Sequence, residues 1–190
     1  MSVPMALLAF LDRGPTHGFA LKQSYDSLLG GDRELKGGQV YSTLARLERD
    51  DLVRGVDVVR GSGPDRKVYA ITERGVSELE AWLAAPVEST TGRPGVIFTR
   101  VVLALVAHLD PAELLDQQRR AFVQRSRQLM KTPAADVVDA LAVDYEIAHL
   151  EADLRWMEAA VGRLPELRSM VDGAVPASTR TPRTAGGSAP

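Results

Sequence analysis

The first part of the chain alternates short helical and strand-like patterns of apolar residues. The mostly apolar segment 3–11 predicts a buried first helix, and Gly14-Pro15 directly after it predicts where that helix ends. Thr16 is predicted to cap a second helix that continues to about Leu29. The side chains expected to face inward on this second helix are Phe19, Ala20 and Leu28.

The clearest helical pattern in the chain lies between about Gly37 and Asp51. Val40, Leu44 and Leu47 follow one another at spacings of four and three, which places them on one stripe of a helix. The stripe predicts a third helix that buries this side against its neighbours. The remaining, mainly polar side chains are expected on the other faces: Gln39, Ser42, Thr43, Arg46 and Arg49.

A β-hairpin is predicted after the third helix. Residues 52–60 are rich in β-branched side chains, 61–65 form a Gly/Ser/Pro/Asp turn cluster, and 66–71 have the pattern of a returning strand. Thr72 is then expected to cap a fourth helix. Basic side chains flank the tip of the hairpin on both sides: Arg60, Arg66 and Lys67.

The rest of the chain is predicted to be helical apart from a linker and a tail. Residues 86–96 are rich in Pro, Gly, Ser and Thr and predict a linker, whereas 97–165 contain helical patterns throughout. Asp110-Pro111 is a strong helix start, and a long helix is expected from about 135 to 164. Residues 173–190 are rich in small residues and proline and predict a disordered tail.

The order of these elements predicts the fold class. Three helices, a hairpin and a fourth helix within residues 1–85 are the arrangement of a winged helix-turn-helix domain. Residues 97–165 then predict a helical, coiled-coil-like dimerisation domain. The expected architecture is therefore mainly α with one small β-hairpin.

Composition narrows the chemistry that the chain could perform. The 190 residues include no cysteine, which excludes a disulfide framework, a thiolate metal site and a cysteine nucleophile. His17, His108 and His149 are scattered through the chain, so neither a metal site nor a cofactor is predicted. No nucleophile motif or phosphate-binding glycine motif is present, and the chain is not expected to be an enzyme. No apolar run reaches the length of a membrane span, and the apolar start is expected to be a core helix rather than a signal peptide.

The net charge is unfavourable for a DNA-binding protein. It is −2, whereas a DNA-binding domain usually carries a basic patch. Residues 36–74 are mildly basic, with 8 Lys and Arg against 6 Asp and Glu. Affinity for DNA would therefore have to come from where the charges are placed.

The pattern of residues 37–72 nevertheless suits double-stranded DNA. A helix that buries one stripe and presents a small, polar N-terminal half fits the major groove. The basic hairpin can reach the phosphates beside the groove, which position a protein without reading sequence. The candidate DNA-binding residues are Thr16, His17, Lys36, Gln39, Tyr41, Ser42, Thr43, Arg46, Arg60, Arg66 and Lys67.

Several of these residues have a simpler interpretation that the sequence leaves open. Tyr41 could bury its ring in the core or place its hydroxyl on a phosphate, and Gln39 could read an adenine or be merely solvated. Arg46 could contact DNA or pair with Asp50 four positions later. His17 could hold a phosphate at the start of the second helix or have only a structural role. The basic residues of the hairpin could likewise be ordinary surface charges.

A long apolar stripe in the C-terminal part predicts contact with a second copy of the chain. Spacings of three and four residues connect the predicted interface residues: Leu141, Tyr145, Ala148, Ala152, Trp156 and Ala159. A homodimer is the simplest partner for such a stripe, although a helical hairpin within one chain could also bury it. Tyr145 and Trp156 could in addition line a pocket for a small hydrophobic effector, or be plain interface core.

Several segments resemble the PadR family of regulators in sequence, order and spacing. Residues 14–19, Gly-Pro-Thr-His-Gly-Phe, resemble the family's Gly-Pro-x-His-Gly-Tyr segment, with Phe in the place of the usual Tyr. The segment 40–48, Val-Tyr-Ser-Thr-Leu-Ala-Arg-Leu-Glu, is similar to its recognition helix, with Ser42 in the place of the common Pro. Its wing strand and following helix are similar to 66–75, Arg-Lys-Val-Tyr-Ala-Ile-Thr-Glu-Arg-Gly. The C-terminal domain of the longer members resembles 98–104 and 156–158.

The resemblance implies a homodimeric transcriptional regulator, usually a repressor, that binds a near-palindromic operator in double-stranded DNA. Members of the family often act on a neighbouring gene, and some release DNA when a small aromatic or lipophilic effector binds. A cytoplasmic, nucleoid-associated protein is expected accordingly. The alternative is a winged helix that contacts another protein instead of DNA, and the negative net charge favours it.

Overall fold

The computed structural model describes residues 2–30, 34–59, 66–87 and 95–175. In chain order its elements are α1 (Val3–Asp12), β1 (Thr16–His17), α2 (Gly18–Leu29), α3 (Gly37–Arg49), β2 (Val53–Val59), β3 (Arg66–Ile71), α4 (Glu73–Ala84), α5 (Val96–Val106), α6 (Pro111–Lys131), α7 (Val137–Val161) and α8 (Leu164–Ala174). The four helices and the hairpin predicted for the N-terminal part are confirmed. Arg60 and most of the predicted tail lie outside the described residues.

The predicted hairpin belongs to a three-stranded antiparallel sheet in the order β1-β3-β2. The strand β1, in which Thr16 pairs with Tyr69 and His17 with Val68, was not predicted from the sequence. The cap of α2 is therefore His17, whose Nδ1 accepts a hydrogen bond from Ala20 N at 3.2 Å. The prediction that Thr16 caps this helix was wrong, because residue 16 pairs with the hairpin and the helix starts after the strand.

The late start of α2 goes with a buried face that differs from the predicted one. Phe19 was expected to face inward but is 50% exposed. The stripe that enters the core consists instead of Leu21, Tyr25 and Leu29, at spacings of four. Phe19 lies two residues before this stripe and is therefore turned towards solvent at the first turn of the helix.

The main hydrophobic core gathers around α1, which packs against α2, α3, α4, α5 and β3. Val40, Leu44 and Leu47 of α3 are buried there, as their spacing predicted. Nearly every residue of α5 is buried, because α1, α6 and α8 all pack against this helix. A second core joins α5, α6 and α7 through Ile97, Val101, Leu115, Phe122, Leu129, Leu150 and Met157.

The last helix, α8, returns to the N-terminal part of the chain. The long helix expected over 135–164 ends at Val161, and the following helix α8 was not predicted. The disordered tail predicted from residue 173 was wrong at its start, because α8 continues to Ala174 and Val175 is buried in the main core. α8 packs against α5 and α2, and Val171 is fully buried in the main core. An ion pair of 3.4 Å between Arg13 and Asp172 joins the end of α1 to α8. The C-terminal element therefore helps to stabilise the N-terminal fold.

Two buried polar side chains hold the backbone that follows α4. The side-chain amide of Gln118 donates to Val87 O and accepts from Val87 N, each at 2.7 Å. Arg100 donates to the carbonyl oxygen of Ala85, and its guanidinium carbon lies 4.6 Å from the centre of the Trp82 ring. The described start of the predicted linker is thus fixed against the helical part, and residues 88–94 of that linker lie outside the described residues.

Candidate nucleic-acid interface

The outward side of α3 is polar and carries most of the residues predicted for it. Gln39, Ser42, Arg46 and Arg49 are all exposed and recur at spacings of three and four, so they share one face. Ala45 is exposed between them, and its short side chain leaves room at the middle of the face. No acidic residue lies in the first turn of the helix. Such a face can approach the edges of base pairs in a major groove.

Thr43 does not belong to this outward face. It is only 6% exposed, and its hydroxyl donates a hydrogen bond of 2.7 Å to the backbone carbonyl of Gln39. Position 43 lies three residues after Val40 and four before Leu47, which places it within the buried stripe. The prediction of Thr43 as a DNA-contacting residue on the polar side is therefore corrected.

Tyr41 connects α3 to the first turn of α2. Its ring lies against Gly18, where an added Cβ would be only 2.7 Å from Cε1 of the ring. The residue is nevertheless 53% exposed, so it is not a core ring. Gly18 is needed at this position because any side chain would displace Tyr41.

The first turn of α2 lies beside the wing, as we name the hairpin of β2 and β3. The ring centres of His17 and Phe19 are 6.5 Å apart, and the guanidinium carbon of Arg66 lies 5.7 Å from the centre of the Phe19 ring. Because His17 Nδ1 accepts from Ala20 N, the hydrogen of the neutral ring lies on Nε2, which can donate. A helix N-terminus, a ring donor and an exposed Arg66 together form an edge suited to a phosphate.

Lys67 is ion-paired within the protein. Its Nζ lies 2.7 Å from both carboxylate oxygens of Glu48 on α3. The hydrogen bond raises the pKa of Lys67 and lowers the pKa of Glu48. Lys67 was predicted as a phosphate ligand, but its charge is already neutralised in the structure.

The remaining predicted residues lie near this surface with different degrees of exposure. Lys36 is exposed directly before α3, whereas Thr16 is partly buried in β1. Arg46 is exposed, and the ion pair with Asp50 is made by Arg49, at 3.5 Å, rather than by Arg46. Arg46 is therefore available to an external partner, as the DNA interpretation requires.

Two residues of the surface were missed from the sequence: Phe19 and Glu48. Phe19 was missed because this apolar side chain was expected to face inward, whereas the buried stripe of α2 is formed by Leu21, Tyr25 and Leu29. Glu48 could have been noticed from the sequence, because it is the acidic residue nearest to the buried stripe of α3. Nothing in the spacing alone indicates that its partner lies 19 residues later, on the wing.

A second uncovered surface lies on α7. The inner side of this helix packs on α6 through Val143, Ile147, Leu150, Leu154 and Met157. The predicted interface residues lie on the other side and are all exposed: Leu141, Tyr145, Ala148, Ala152, Trp156 and Ala159. The helical hairpin within the chain therefore does not bury this stripe. Tyr145 and Trp156 are eleven residues apart, about 16 Å along the helix. Within one chain, the two side chains therefore do not contact the same small aromatic effector.

Two further findings concern metal binding and membrane-spanning helices. Among them, no group of three or more His, Asp or Glu side chains is arranged to hold a metal ion. The helices of the described ranges are also too short or too polar for any of them to cross a bilayer.

The element order, the exposed face of α3 and the hairpin beside it define the winged helix-turn-helix class of protein. A family model described as the transcriptional regulator PadR-like family matches residues 7–81. The description of this family names transcriptional regulators and not enzymes.

Known proteins resemble parts of the chain. It is 36% identical over 95 residues to a Mycobacterium tuberculosis protein named "Probable transcriptional regulator Rv1176c", covering 50% of this chain and 49% of that protein. It is 27% identical over 78 residues to the "Negative transcriptional regulator PadR" of Bacillus subtilis, covering 41% and 43%. The crystal structure of Bacillus subtilis PadR in complex with operator DNA matches with a TM-score of 0.44 and 17% identity, over 84% of this chain and 96% of that one. The alignments thus span about half the length of the two curated relatives.

Proposed function

We propose that this protein is a homodimeric transcriptional regulator that binds double-stranded DNA through α3, the recognition helix, and the wing. Residues 1–85 would form the DNA-binding domain and 97–165 the dimerisation domain. The protein would act as a repressor on a near-palindromic operator, in the cytoplasm and on the nucleoid. The match of the PadR-like family model to residues 7–81 supports the general class, and the geometry supports the particular roles.

One observation carries the proposal. A polar face of α3, with a short side chain at its middle, is exposed beside the edge that contains Arg66. Gln39 and Arg46 stand on this face and can hydrogen-bond to base edges. Tyr41 and Arg66 flank it, next to the first turn of α2, where phosphates of the same groove would lie. The charges are thus placed locally, which explains how a chain with a net charge of −2 could bind a polyanion.

The dimer is supported by the exposed apolar face of α7. Leu141 is 64% exposed and Tyr145 59%, on a helix of 25 residues that is about 37 Å long. Exposed apolar area of this extent on one face is typical of a protein–protein interface. A second copy would cover it and would set two recognition helices about one turn of DNA apart.

A small aromatic or lipophilic effector is proposed to relieve repression through the helical domain. The exposed rings of Tyr145 and Trp156 are the candidates on α7, and in a dimer each could meet a residue of the other copy. Quenching of Trp156 fluorescence by planar aromatic compounds, together with release of DNA, would support this role. Quenching without any change in DNA affinity would contradict it.

The DNA-binding role is tested by titrating a labelled duplex from the region upstream of the protein's own gene, at several salt concentrations. Replacement of Arg66 by Ala should weaken binding to every duplex and lower the slope of log affinity against log salt by about 0.9, since one phosphate contact is lost. Arg119→Ala is the control, because Arg119 is exposed on α6, away from this surface. An unchanged slope for Arg66→Ala would contradict the wing's contact with phosphate.

The alternative partner is a protein. The exposed rings of Phe19 and Tyr41 favour it, because aromatic side chains are enriched in protein interfaces, and so does the negative net charge. The same titration separates the two functions. A specific shift at moderate salt that a random duplex does not give would exclude this alternative, whereas equal weak binding to both duplexes would favour it.

A further inference from the structure

We propose that Glu48 and Lys67 form a clip that fixes the angle between the recognition helix and the wing. In this role Lys67 is a positioning residue and not a phosphate ligand. The proposal rests on the DNA-binding function proposed above, since it assigns how two parts of that surface are held together.

A single carboxylate joins three elements of the surface. Glu48 on α3 accepts from Lys67 Nζ on β3 with both oxygens, each at 2.7 Å. Its Oε1 also accepts from the backbone N–H of Gly55 on β2, at 3.1 Å. Both strands of the wing are therefore hydrogen-bonded to the same side chain of the recognition helix. Charge-assisted bonds of this length hold the partners closely.

Gly55 provides the space that the clip needs. A Cβ at this position would lie 2.4 Å from Cε of Lys67, so any side chain would push the lysine off its path to α3. The pairing of β2 with β3 shifts at the same place, since Gly55 faces Tyr69 and Asp57 faces Val68. The extra residue makes a bulge, which bends a strand and increases its twist. The wing thus bends where Lys67 crosses it.

The clip also removes an unfavourable charge from the DNA-facing side. A free carboxylate on the recognition helix would repel phosphates, and Lys67 cancels the charge of Glu48 at contact distance. The two side chains remain 47% and 35% exposed, and pairs so exposed contribute little to folding. The geometry therefore indicates a role in placing the wing rather than in stabilising the fold.

The test compares DNA affinity and its salt dependence in the full-length protein. The double variant Glu48→Gln with Lys67→Met removes the clip and leaves the local net charge unchanged. We expect affinity to fall about fivefold at every salt concentration, with the salt slope unchanged. A slope lowered by about 0.9 would show that Lys67 contacts a phosphate and would overturn the proposal.

Two further variants separate positioning from a general structural defect. The exchange Glu48→Lys with Lys67→Glu restores an ion pair and should recover at least half of the lost affinity on a logarithmic scale. Gly55→Ala should weaken binding like the double variant, and the two changes combined should weaken it no further. An exchange variant as weak as the neutral pair, together with a silent Gly55→Ala, would overturn the clip. The matched control is Asp116→Asn with Arg120→Met, an exposed pair on α6 whose loss should change nothing.

A readout in the free protein keeps the clip testable if no DNA is bound. The amide proton shift of Gly55 should titrate with the Glu48 carboxylate, with a midpoint below the ordinary value of 4.5 for glutamate. In Lys67→Met the midpoint should rise, because the hydrogen bond that lowers this pKa is gone. An unchanged midpoint would overturn the clip. A duplex that stays unbound while the midpoint rises would overturn only the proposed function.

Discussion

The proposed recognition helix α3 and the long helix α7 are built alike on their buried sides and differently on their exposed sides. Each has an inward stripe with spacings of three and four. In α3 it consists of the buried Val40, Leu44 and Leu47, and in α7 of the buried Leu150 and Met157 with the partly buried Leu154 between them. The outward side of α3 carries amide, hydroxyl and guanidinium groups, whereas that of α7 carries aliphatic and aromatic side chains.

This difference indicates which kind of partner each helix can accept. A polar face remains solvated in the free protein and can exchange its water for base edges and phosphates. Each Å² of apolar surface that stays in water costs about 25 cal/mol of free energy, so covering an apolar face is favourable. We therefore propose that the same helical geometry serves DNA on α3 and a second copy of the chain on α7.

The largest effect is expected from breaking the apolar face. Leu141→Glu with Ala148→Glu places two charges in the proposed dimer interface, where no positive partner is available on the predicted stripe. The variant should be monomeric by light scattering and should bind the operator at least about a hundredfold more weakly, since only one half-site is then held. Arg119→Glu on the exposed side of α6 is the control and should leave the dimer intact. A double variant that stays dimeric would place the interface elsewhere.

The next effect compares the two sides of α7 directly. Leu150 is buried and Leu141 is 64% exposed, so alanine at these positions removes the same atoms from opposite faces. Leu150→Ala should lower the free energy of unfolding by about 2–5 kcal/mol at any protein concentration. Leu141→Ala should lower it only where the dimer is populated. Urea unfolding at two concentrations a hundredfold apart measures both. Equal losses at the lower concentration would contradict the assignment of the two faces.

The polar face of α3 is tested by substitutions that separate specificity from affinity. Gln39→Ala and Arg46→Ala should each cost about 1–3 kcal/mol of binding to the operator and much less on a random duplex, because base contacts carry sequence information. Arg119→Ala is the control, since Arg119 is exposed on α6, away from this surface. An equal loss on both duplexes would show phosphate contact instead of base contact.

A smaller effect is expected where α3 meets α2. Tyr41→Phe keeps the ring on Gly18 and removes only the hydroxyl, which should cost about 0.5–1.5 kcal/mol of DNA binding if it donates to a phosphate. Gly18→Ala should cost more, because the new methyl group would push the ring away. A silent Tyr41→Phe with a damaging Gly18→Ala would show that only the ring matters.

The sequence predicted the parts of this surface that depend on periodicity along one element. The stripe of α3, the returning strand of the hairpin and the caps Thr72 and Asp110 all follow from residues close together in the chain, and the structure confirms them. Thr43 was misplaced even so, because a polar residue was assigned by its chemistry although its position, between Val40 and Leu47, is on the buried side.

The features that could not be predicted depend on contacts between distant residues. The strand β1 exists only because β3 lies beside it, and α8 is held by a core whose other side chains come from the N-terminal part. The partner of Lys67 lies on another element, 19 residues away, and nothing in the local pattern selects Glu48 over solvent. The pattern along the chain indicates which charged residues are exposed. The structure shows which of them already form ion pairs within the protein.

The smallest effect is expected at the junction where α1, α5 and α8 meet. His108 follows α5, close to Arg13 of the N-terminal core and Asp172 of α8, and its Nε2 is buried without a hydrogen-bond partner among the described residues. Burial lowers the pKa of His108, and Arg13 and Arg168 lower it further, while Asp172 and Asp12 raise it.

The sign of the resulting pH dependence follows from this lowered pKa. The unfolded chain binds the proton more readily than the folded one, so stability is complete above the ordinary value of 6.5 and is lost as the pH falls below it. We expect His108→Gln to lose less unfolding free energy than the wild type between pH 7.5 and 5.5, measured by urea unfolding. Identical losses in the two proteins would mean that His108 is protonated as readily in the folded junction as in the unfolded chain, and the coupling of α1, α5 and α8 would then not depend on a neutral imidazole.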